Sequence, residues 1–327
     1  MNIVIPDDYQ DVIRTLDCYA RLAGHTVRVL HDLGPATPDE LAARFADADA
    51  LVLTRERTRI DAELLDRLPK LKLISQTGKV SSHLDLDACT ARGIVVTEGR
   101  GSPVAPAELA WSLILTARRQ LVPAIEAFKA GQWQVNLGQA VAGQTLGIWG
   151  YGKIGQRLAR YAQAFDMPVL VWGSENSRAA AVADGHRAAI SRTALFAEAD
   201  ILSLNLRLSE STRHGVTFED LAGMKPSALL VNISRAELLA PGALLQALDA
   251  GRPGYAAVDV FEQEPLLGVD NPLLNHPRAL CTPHLGYVEK NGYELYFGDA
   301  FDNLLAFFAG APKNVANPQA LEASRPE

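Results

Sequence analysis

The run Gly150-Tyr151-Gly152-Lys153-Ile154-Gly155 constrains this chain more than any other stretch. It follows Leu146-Gly147-Ile148-Trp149, a short apolar segment that reads as a strand. Beyond it, Ile154, Leu158, Ala162 and Phe165 fall on one helical face. Between a strand and a helix, three glycines at this spacing have separate duties. The first permits a tight turn, the second lets a pyrophosphate approach the backbone, and the third lets helix and strand pack closely. The amino terminus of the helix adds unpaired N–H groups and partial positive charge. The sequence therefore predicts a phosphate-binding turn for a dinucleotide, formed by Gly150, Tyr151, Gly152, Lys153, Ile154 and Gly155. A tight turn that binds nothing is the plain alternative.

The second strand of such a fold normally ends in an acid, about 20 residues on, that grips the ribose hydroxyls of NAD. Here the tip reads Trp172-Gly173-Ser174-Glu175-Asn176-Ser177-Arg178, with glycine where the acid belongs. Glu175 favours NAD if it reaches the ribose. Ser174, Ser177 and Arg178 favour NADP if they hold a 2′-phosphate. NAD is placed first, with NADP close behind.

At 327 residues the chain is long enough for two domains of roughly 100–200 residues each. The first hundred residues alternate strands (Asn2–Pro6, Thr26–Leu30, Ala50–Thr54, Leu71–Gln76, Ile94–Thr97) with helical segments such as Pro38–Ala46 and Asp61–Leu68. These strands are continuous apolar runs, as expected when helices cover both faces of a parallel sheet. The Gly/Pro cluster Gly99–Pro103 then breaks the pattern. Helices over Ala105–Leu121 and on to about Ala130 lead into a second series of strands: Thr145–Gly150, Val169–Trp172, Ile201–Leu206, Ala228–Ile233, Ala256–Val260 and Ala279–Thr282. Helical segments Ile154–Phe165, Ala179–Asp184, Phe218–Met224 and Ala243–Ala250 lie between them. A last helix, about Tyr293–Phe308, has no strand after it and is expected to return to the first domain. The tail Pro318–Glu327 is expected to fray. The fold class is α/β, with two doubly wound parallel sheets.

A net charge of −7, with acids and bases interspersed, argues against a nucleic-acid partner. A small anionic substrate would then need local basic residues. Cys18, Cys89 and Cys281 form no CxxC pair and read as reduced thiols of a cytoplasmic protein. No apolar run reaches the roughly 18–20 residues of a membrane span, and Met1–Gln10 lacks the hydrophobic core of a signal peptide. No metal-ligating cluster is read from the chain.

Ligands of open α/β sheets lie beyond the carboxyl ends of the strands. Arg235, Glu264 and His284 each follow a strand of the second series. Hydride transfer to a 2-oxo acid needs a cation for the carboxylate and a proton donor for the developing alkoxide. A carboxylate beside an imidazole favours its protonated form and fixes the ring. Singly, such residues are usually solvated charges or caps; together, on a nucleotide-binding sheet, they point to catalysis.

The segments LGIWGYGKIG, LLVNISRAELL, AAVDVFEQEPL and CTPHLGYVE, and more weakly LKLISQTGKVSSHLDLDACTARGI, resemble the D-isomer-specific 2-hydroxyacid dehydrogenase family. That family includes phosphoglycerate dehydrogenases, glyoxylate reductases and formate dehydrogenase. The resemblance covers nearly the whole chain. It implies that Arg235 binds the substrate carboxylate, that Glu264 pairs with the histidine and that His284 is the general acid/base. It also implies that Asp259 contacts the nicotinamide end of the cofactor. By the same resemblance, a nucleotide domain spans 104–287, a flavodoxin-like substrate domain comprises 1–103 and 288–327, and the protein is a homodimer.

Departures gather around the substrate. The family's GxGxDNxD loop reads Gly78-Lys79-Val80-Ser81-Ser82-His83-Leu84-Asp85, so only Gly78 and Asp85 match. Ala236 replaces a usual glycine, and Asn205-Leu206-Arg207-Leu208 stands where His-x-Pro-Leu is common. Gly78, Lys79 and Arg55 are the substrate-binding candidates of the first domain. Arg55, Arg57 or Lys79 would meet a second anionic group, against ordinary exposed charge as the plain reading. Trp133 is expected in domain packing rather than in substrate contact. Two other functions compete with the dehydrogenase: a redox-sensing regulator that keeps the fold and binds NAD(H) without turnover, and another Rossmann enzyme such as a methyltransferase or amino-acid dehydrogenase. The regulator would need partner-binding extensions, and the other enzymes would not carry the Arg, Glu and His motifs.

Overall fold

The computed structural model of the chain describes residues 1–31 and 37–323; the end of the expected frayed tail, 324–327, lies outside them. The chain divides into two compact units, one of Met1–Ser102 with Val288–Glu327 and one of Pro103–Tyr287.

The first unit holds β1 (Asn2–Ile5), β2 (Thr26–Val29), α1 (Pro38–Phe45), β3 (Ala50–Leu53), α2 (Ala62–Asp66), β4 (Leu73–Gln76), α3 (Leu86–Ala91) and β5 (Val95–Glu98). Its strands pair in parallel in the order β2-β1-β3-β4-β5, the flavodoxin-like arrangement expected. The helical segment expected after β1 is formed by two tight 3-10 helices, Ile13–Thr15 and Asp17–Leu22. Asp8 causes the tightening: its buried carboxylate accepts the N–H groups of Val12 and Ile13.

The second unit runs α4 (Val104–Arg119), α5 (Leu121–Lys129), β6 (Leu146–Trp149), α6 (Lys153–Ala164), β7 (Val169–Trp172), α7 (Glu175–Ala183), β8 (Arg187–Ala188), α8 (Arg192–Glu198), β9 (Ile201–Leu204), α9 (Phe218–Ala222), β10 (Leu229–Asn232), α10 (Ala243–Asp249), β11 (Tyr255–Val258) and β12 (Ala279–Cys281). The parallel order β12-β11-β10-β9-β6-β7-β8 reverses direction at β6, the doubly wound dinucleotide-binding topology. Alternate strand residues serve two cores. Leu146, Ile148, Val169, Val171 and Val231 pack with residues of α4 and α6. Leu170, Leu202, Leu204, Leu230 and Val258 face Leu195, Phe196, Leu221 and Leu248. Covering both faces is what makes these strands unbroken apolar runs.

The final helix, α11 (Lys290–Phe308), followed by the short α12 (Ala320–Ala323), belongs to the first unit. It buries Tyr293, Tyr296, Phe297, Phe301 and Leu304, each stabilising by about 1.5–3 kcal/mol relative to exposure. Polar bonds fix its register: Ser75 donates to the Ala300 carbonyl at 2.8 Å, and Asn303 to that of Glu98 at 3.2 Å. Asn317 accepts the Val96 N–H at 2.7 Å and donates to the Ile94 carbonyl at 2.9 Å. No helix among the described residues is long and apolar enough to cross a membrane.

Candidate active site

The three glycines of the β6–α6 turn are demanded by different neighbours. Gly150 has φ +99°, and a Cβ there would lie 2.6 Å from the Asn205 carbonyl oxygen. A Cβ on Gly155 would lie 2.3 Å from the Gly150 carbonyl oxygen, so the helix closes on its own turn. Gly152 differs: nothing lies within 4 Å of its Cβ position, and it caps α6. A bare backbone facing open space at a helix amino terminus is what a pyrophosphate requires. The residues therefore fit a dinucleotide. Lys153 is exposed beside the opening and Ile154 packs on the core. Tyr151 is buried and donates to Asp184 at 2.8 Å, so only its backbone is left for a ligand.

At the end of β7, helix α7 begins at Glu175 rather than near Ala179 as expected, because Ser174 caps it by accepting the Ser177 N–H at 3.2 Å. Ser174 and Glu175 are exposed there, and the Arg178 guanidinium stacks over the Trp172 ring at 4.7 Å.

Three adjacent parallel strands present the charged set at one edge of the sheet. Arg235 follows β10, Asp259 and Glu264 follow β11, and His284 follows β12. His284 Nδ1 lies 2.5 Å from Glu264 Oε2, while Glu264 Oε1 accepts the Phe261 N–H at 2.9 Å. A carboxylate only accepts, so this contact holds the proton on Nδ1 and leaves Nε2 for a ligand. The edge of Tyr287 braces the ring at a centroid distance of 5.2 Å. Arg235 is half-buried; its carbonyl accepts from Asn232 at 2.9 Å, and its Nη1 donates to the Ser234 carbonyl at 2.7 Å.

His284 has φ +51°, a left-handed conformation that costs a side-chain-bearing residue about 1–2 kcal/mol. Asp259 holds the turn there. Its Oδ1 accepts from the Thr282 hydroxyl at 2.6 Å and the Leu285 N–H at 2.7 Å, and Oδ2 accepts the Gly286 N–H at 2.8 Å. Asp259 is fully buried, and burial raises its carboxyl above the usual range, opposed by the Thr282 and backbone hydrogen bonds and the charge of His284. With its carboxylate enclosed, it stands behind the histidine turn. Sequence reasoning did not find this bracket, nor Tyr287; their signal was adjacency to His284 in the Thr282–Tyr287 segment.

In the first unit, Arg55 has φ +54° and its N–H is bonded to Thr77 Oγ1 at 2.7 Å. Its guanidinium lies against Gly78, where a Cβ would come 2.2 Å from Nη1, and 5.7 Å from the Tyr296 ring centre. Arg57 donates to the Asp7 carbonyl at 2.6 Å and stacks on Tyr9. The Lys79 ammonium is paired with Glu98 at 2.5 Å. Asp85 caps α3. Trp133, expected to be packed, is 74% exposed and touches Phe128 edge to face; the segment around it leaves several large apolar side chains uncovered.

Residues 111–286 match the family model described as D-isomer specific 2-hydroxyacid dehydrogenase, NAD binding domain. A glyoxylate/hydroxypyruvate reductase B of Shigella boydii is 35% identical over 92% of this chain and 95% of its own length. Among solved structures, a putative D-3-phosphoglycerate dehydrogenase from Ralstonia solanacearum is 51% identical, covers 98% of both chains and has a TM-score of 0.95. A phosphoglycerate oxidoreductase from Vibrio cholerae is 53% identical over 95% of this chain and 100% of its own, with a TM-score of 0.92. The chain belongs to the D-isomer specific 2-hydroxyacid dehydrogenase family.

Proposed function

We propose that His284, Glu264 and Arg235 carry out the proton transfer and carboxylate binding of a 2-hydroxyacid dehydrogenase. The enzyme is an oxidoreductase that acts on the CH–OH of a small 2-hydroxy acid with a nicotinamide dinucleotide. The observation that carries the assignment is the 2.5 Å contact between His284 Nδ1 and Glu264. In the reductive direction Arg235 grips the carboxylate of the 2-oxo acid, and a charge-assisted fork gives that grip direction. The nicotinamide, when bound, supplies the hydride to C2. His284 gives its Nε2 proton to the carbonyl oxygen as the alkoxide forms, and keeps its Nδ1 proton, which it donates in a hydrogen bond to Glu264. In reverse, neutral His284 removes the hydroxyl proton at Nε2.

The Pro103–Tyr287 unit is assigned to the dinucleotide, and the other to the substrate. There Gly78 and Arg55 are given the anionic groups of the substrate. Lys79 is left its backbone N–H, since its ammonium is neutralised by Glu98. The relatives' names divide between glyoxylate/hydroxypyruvate and phosphoglycerate. A panel of glyoxylate, hydroxypyruvate, pyruvate and 3-phosphohydroxypyruvate, each with NADH and NADPH, tests the activity. At least one acid should be reduced; cofactor oxidation by none of them rejects it. Arg55→Glu should raise KM for 3-phosphohydroxypyruvate by about 10–100-fold, the worth of one charge-assisted hydrogen bond, with little change for glyoxylate. An unchanged KM for 3-phosphohydroxypyruvate in Arg55→Glu rejects Arg55.

The protein is further read as a homodimer in the cytoplasm. The support for the dimer is the apolar surface of α5 and the loop after it: Leu121, Val122, Ile125, Phe128, Trp133, Val135 and Leu137 are all exposed, a patch that marks an interface. Ile125→Asp with Phe128→Asp should yield monomers in sedimentation equilibrium; an unchanged mass rejects this surface. The support for the compartment is three free thiols, Cys18, Cys89 and Cys281.

A further inference from the structure

The end of β7 bears on which nicotinamide dinucleotide is taken, and its geometry departs from the NAD pattern. An acid at the strand tip grips both ribose hydroxyls in NAD-selective folds. The tip here is Gly173, with φ +158°. A Cβ on it would sit 3.2 Å from Ser177 Cβ and 3.8 Å from Gly150 Cα. A side chain at the tip would need Ser177 to give way by a few tenths of an ångström, and glycine leaves the strand end without the acid that would reach the ribose.

What surrounds the tip is a cation and two hydroxyls. Arg178 lies over Trp172 at 4.7 Å. No carboxylate pairs with it among the described residues, and its Nε is buried without a hydrogen-bond partner. The next two arginines along the chain are ion-paired, Arg187 with Glu198 and Arg192 with Asp220. Stacking on the indole fixes the guanidinium plane, so little side-chain freedom is lost when an anion binds. Ser174 donates to Ser177 Oγ at 3.1 Å, which leaves the Ser177 hydroxyl proton for another acceptor. An unpaired, pre-oriented arginine beside a donor hydroxyl suits a phosphate monoester. Glu175 is the opposing group, but it is exposed and its repulsion is screened by water and salt.

We propose that the chain is selective for NADP(H), with Arg178 and Ser177 binding the 2′-phosphate. This reverses the order read from the sequence alone, and it rests on the dinucleotide reading of the second unit. The experiment is direct binding, free of turnover: titration of the full chain and of Arg178→Gln with NADPH, NADH, adenosine 2′,5′-bisphosphate and 5′-AMP, followed calorimetrically. The full chain should bind NADPH at least about tenfold more tightly than NADH, and the bisphosphate more tightly than 5′-AMP. Arg178→Gln should erase both differences and leave NADH affinity as it was, which also shows that the variant is folded. Equal or tighter binding of NADH by the full chain, or an unaltered NADPH preference in Arg178→Gln, overturns the proposal and leaves the dinucleotide site standing. Binding of none of the four by the full chain overturns the proposal and the dinucleotide reading together.

Discussion

His284→Ala is expected to lower turnover by about 10²–10⁴, the usual worth of a positioned general acid/base, without weakening dinucleotide binding. The two halves of that result come from separate parts of the second unit. The phosphate turn lies between β6 and α6, whereas His284 follows β12 at the far end of the sheet order. Alanine removes the ring that Glu264 orients, so on the proposed mechanism the alkoxide must take its proton from water. The KM for the 2-oxo acid should move less than kcat if Arg235 holds the carboxylate as proposed; loss confined to kcat marks an interaction made in the transition state. Glu264→Gln should fall between the wild type and His284→Ala, since an amide still holds the ring but carries no charge. Near-normal turnover in His284→Ala, measured in both directions, rejects the acid/base assignment.

The second large effect is expected at Asp259. Three donors converge on its buried carboxylate, and a buried donor left without an acceptor costs about 1–3 kcal/mol. Asp259→Leu should therefore lose several kcal/mol of stability, read as a markedly lower thermal midpoint. Asp259→Asn keeps one acceptor oxygen but turns an N–H towards a donor; it should fold and lose about 10²-fold in kcat as the His284 turn shifts. Its KM for the dinucleotide should change little. If the KM for the dinucleotide carries the loss and kcat survives, Asp259 touches the nicotinamide, as the family resemblance implies, and the bracket is secondary.

How far the sequence could be read follows from which interactions are local. The βα turn was legible because its three glycines fall within six residues between an apolar run and a helical pattern, although Gly150 also answers to the distant Asn205. The strands were legible because burial on both faces leaves continuous apolar runs, but their order in each sheet was not. The strand-end placement of Arg235, Glu264 and His284 followed from the same runs. The start of α7 was missed because Ser174, read as a phosphate ligand, serves as the helix cap. The two-residue β8 and helix α8 were missed as well; β8 is short and at the sheet edge, with no apolar run to announce it. The burial of Asp259 could not be read, because its partners Thr282, Leu285 and Gly286 lie more than twenty residues away along the chain. Trp133 was misplaced for another reason: in one sequence an exposed apolar residue looks like a core residue.

The central claim is that a hydride passes between the nicotinamide ring and C2 of a small 2-hydroxy acid on this chain. The direct measurement uses reduced dinucleotide carrying deuterium at C4, mixed with the enzyme and the most reactive 2-oxo acid of the panel, with the product analysed by mass and by chiral separation. The account predicts one deuterium at C2 of a D-configured 2-hydroxy acid when the label is on the transferred face of the ring. Product lacking the label whichever face carries it, or no product from any acid, would contradict it.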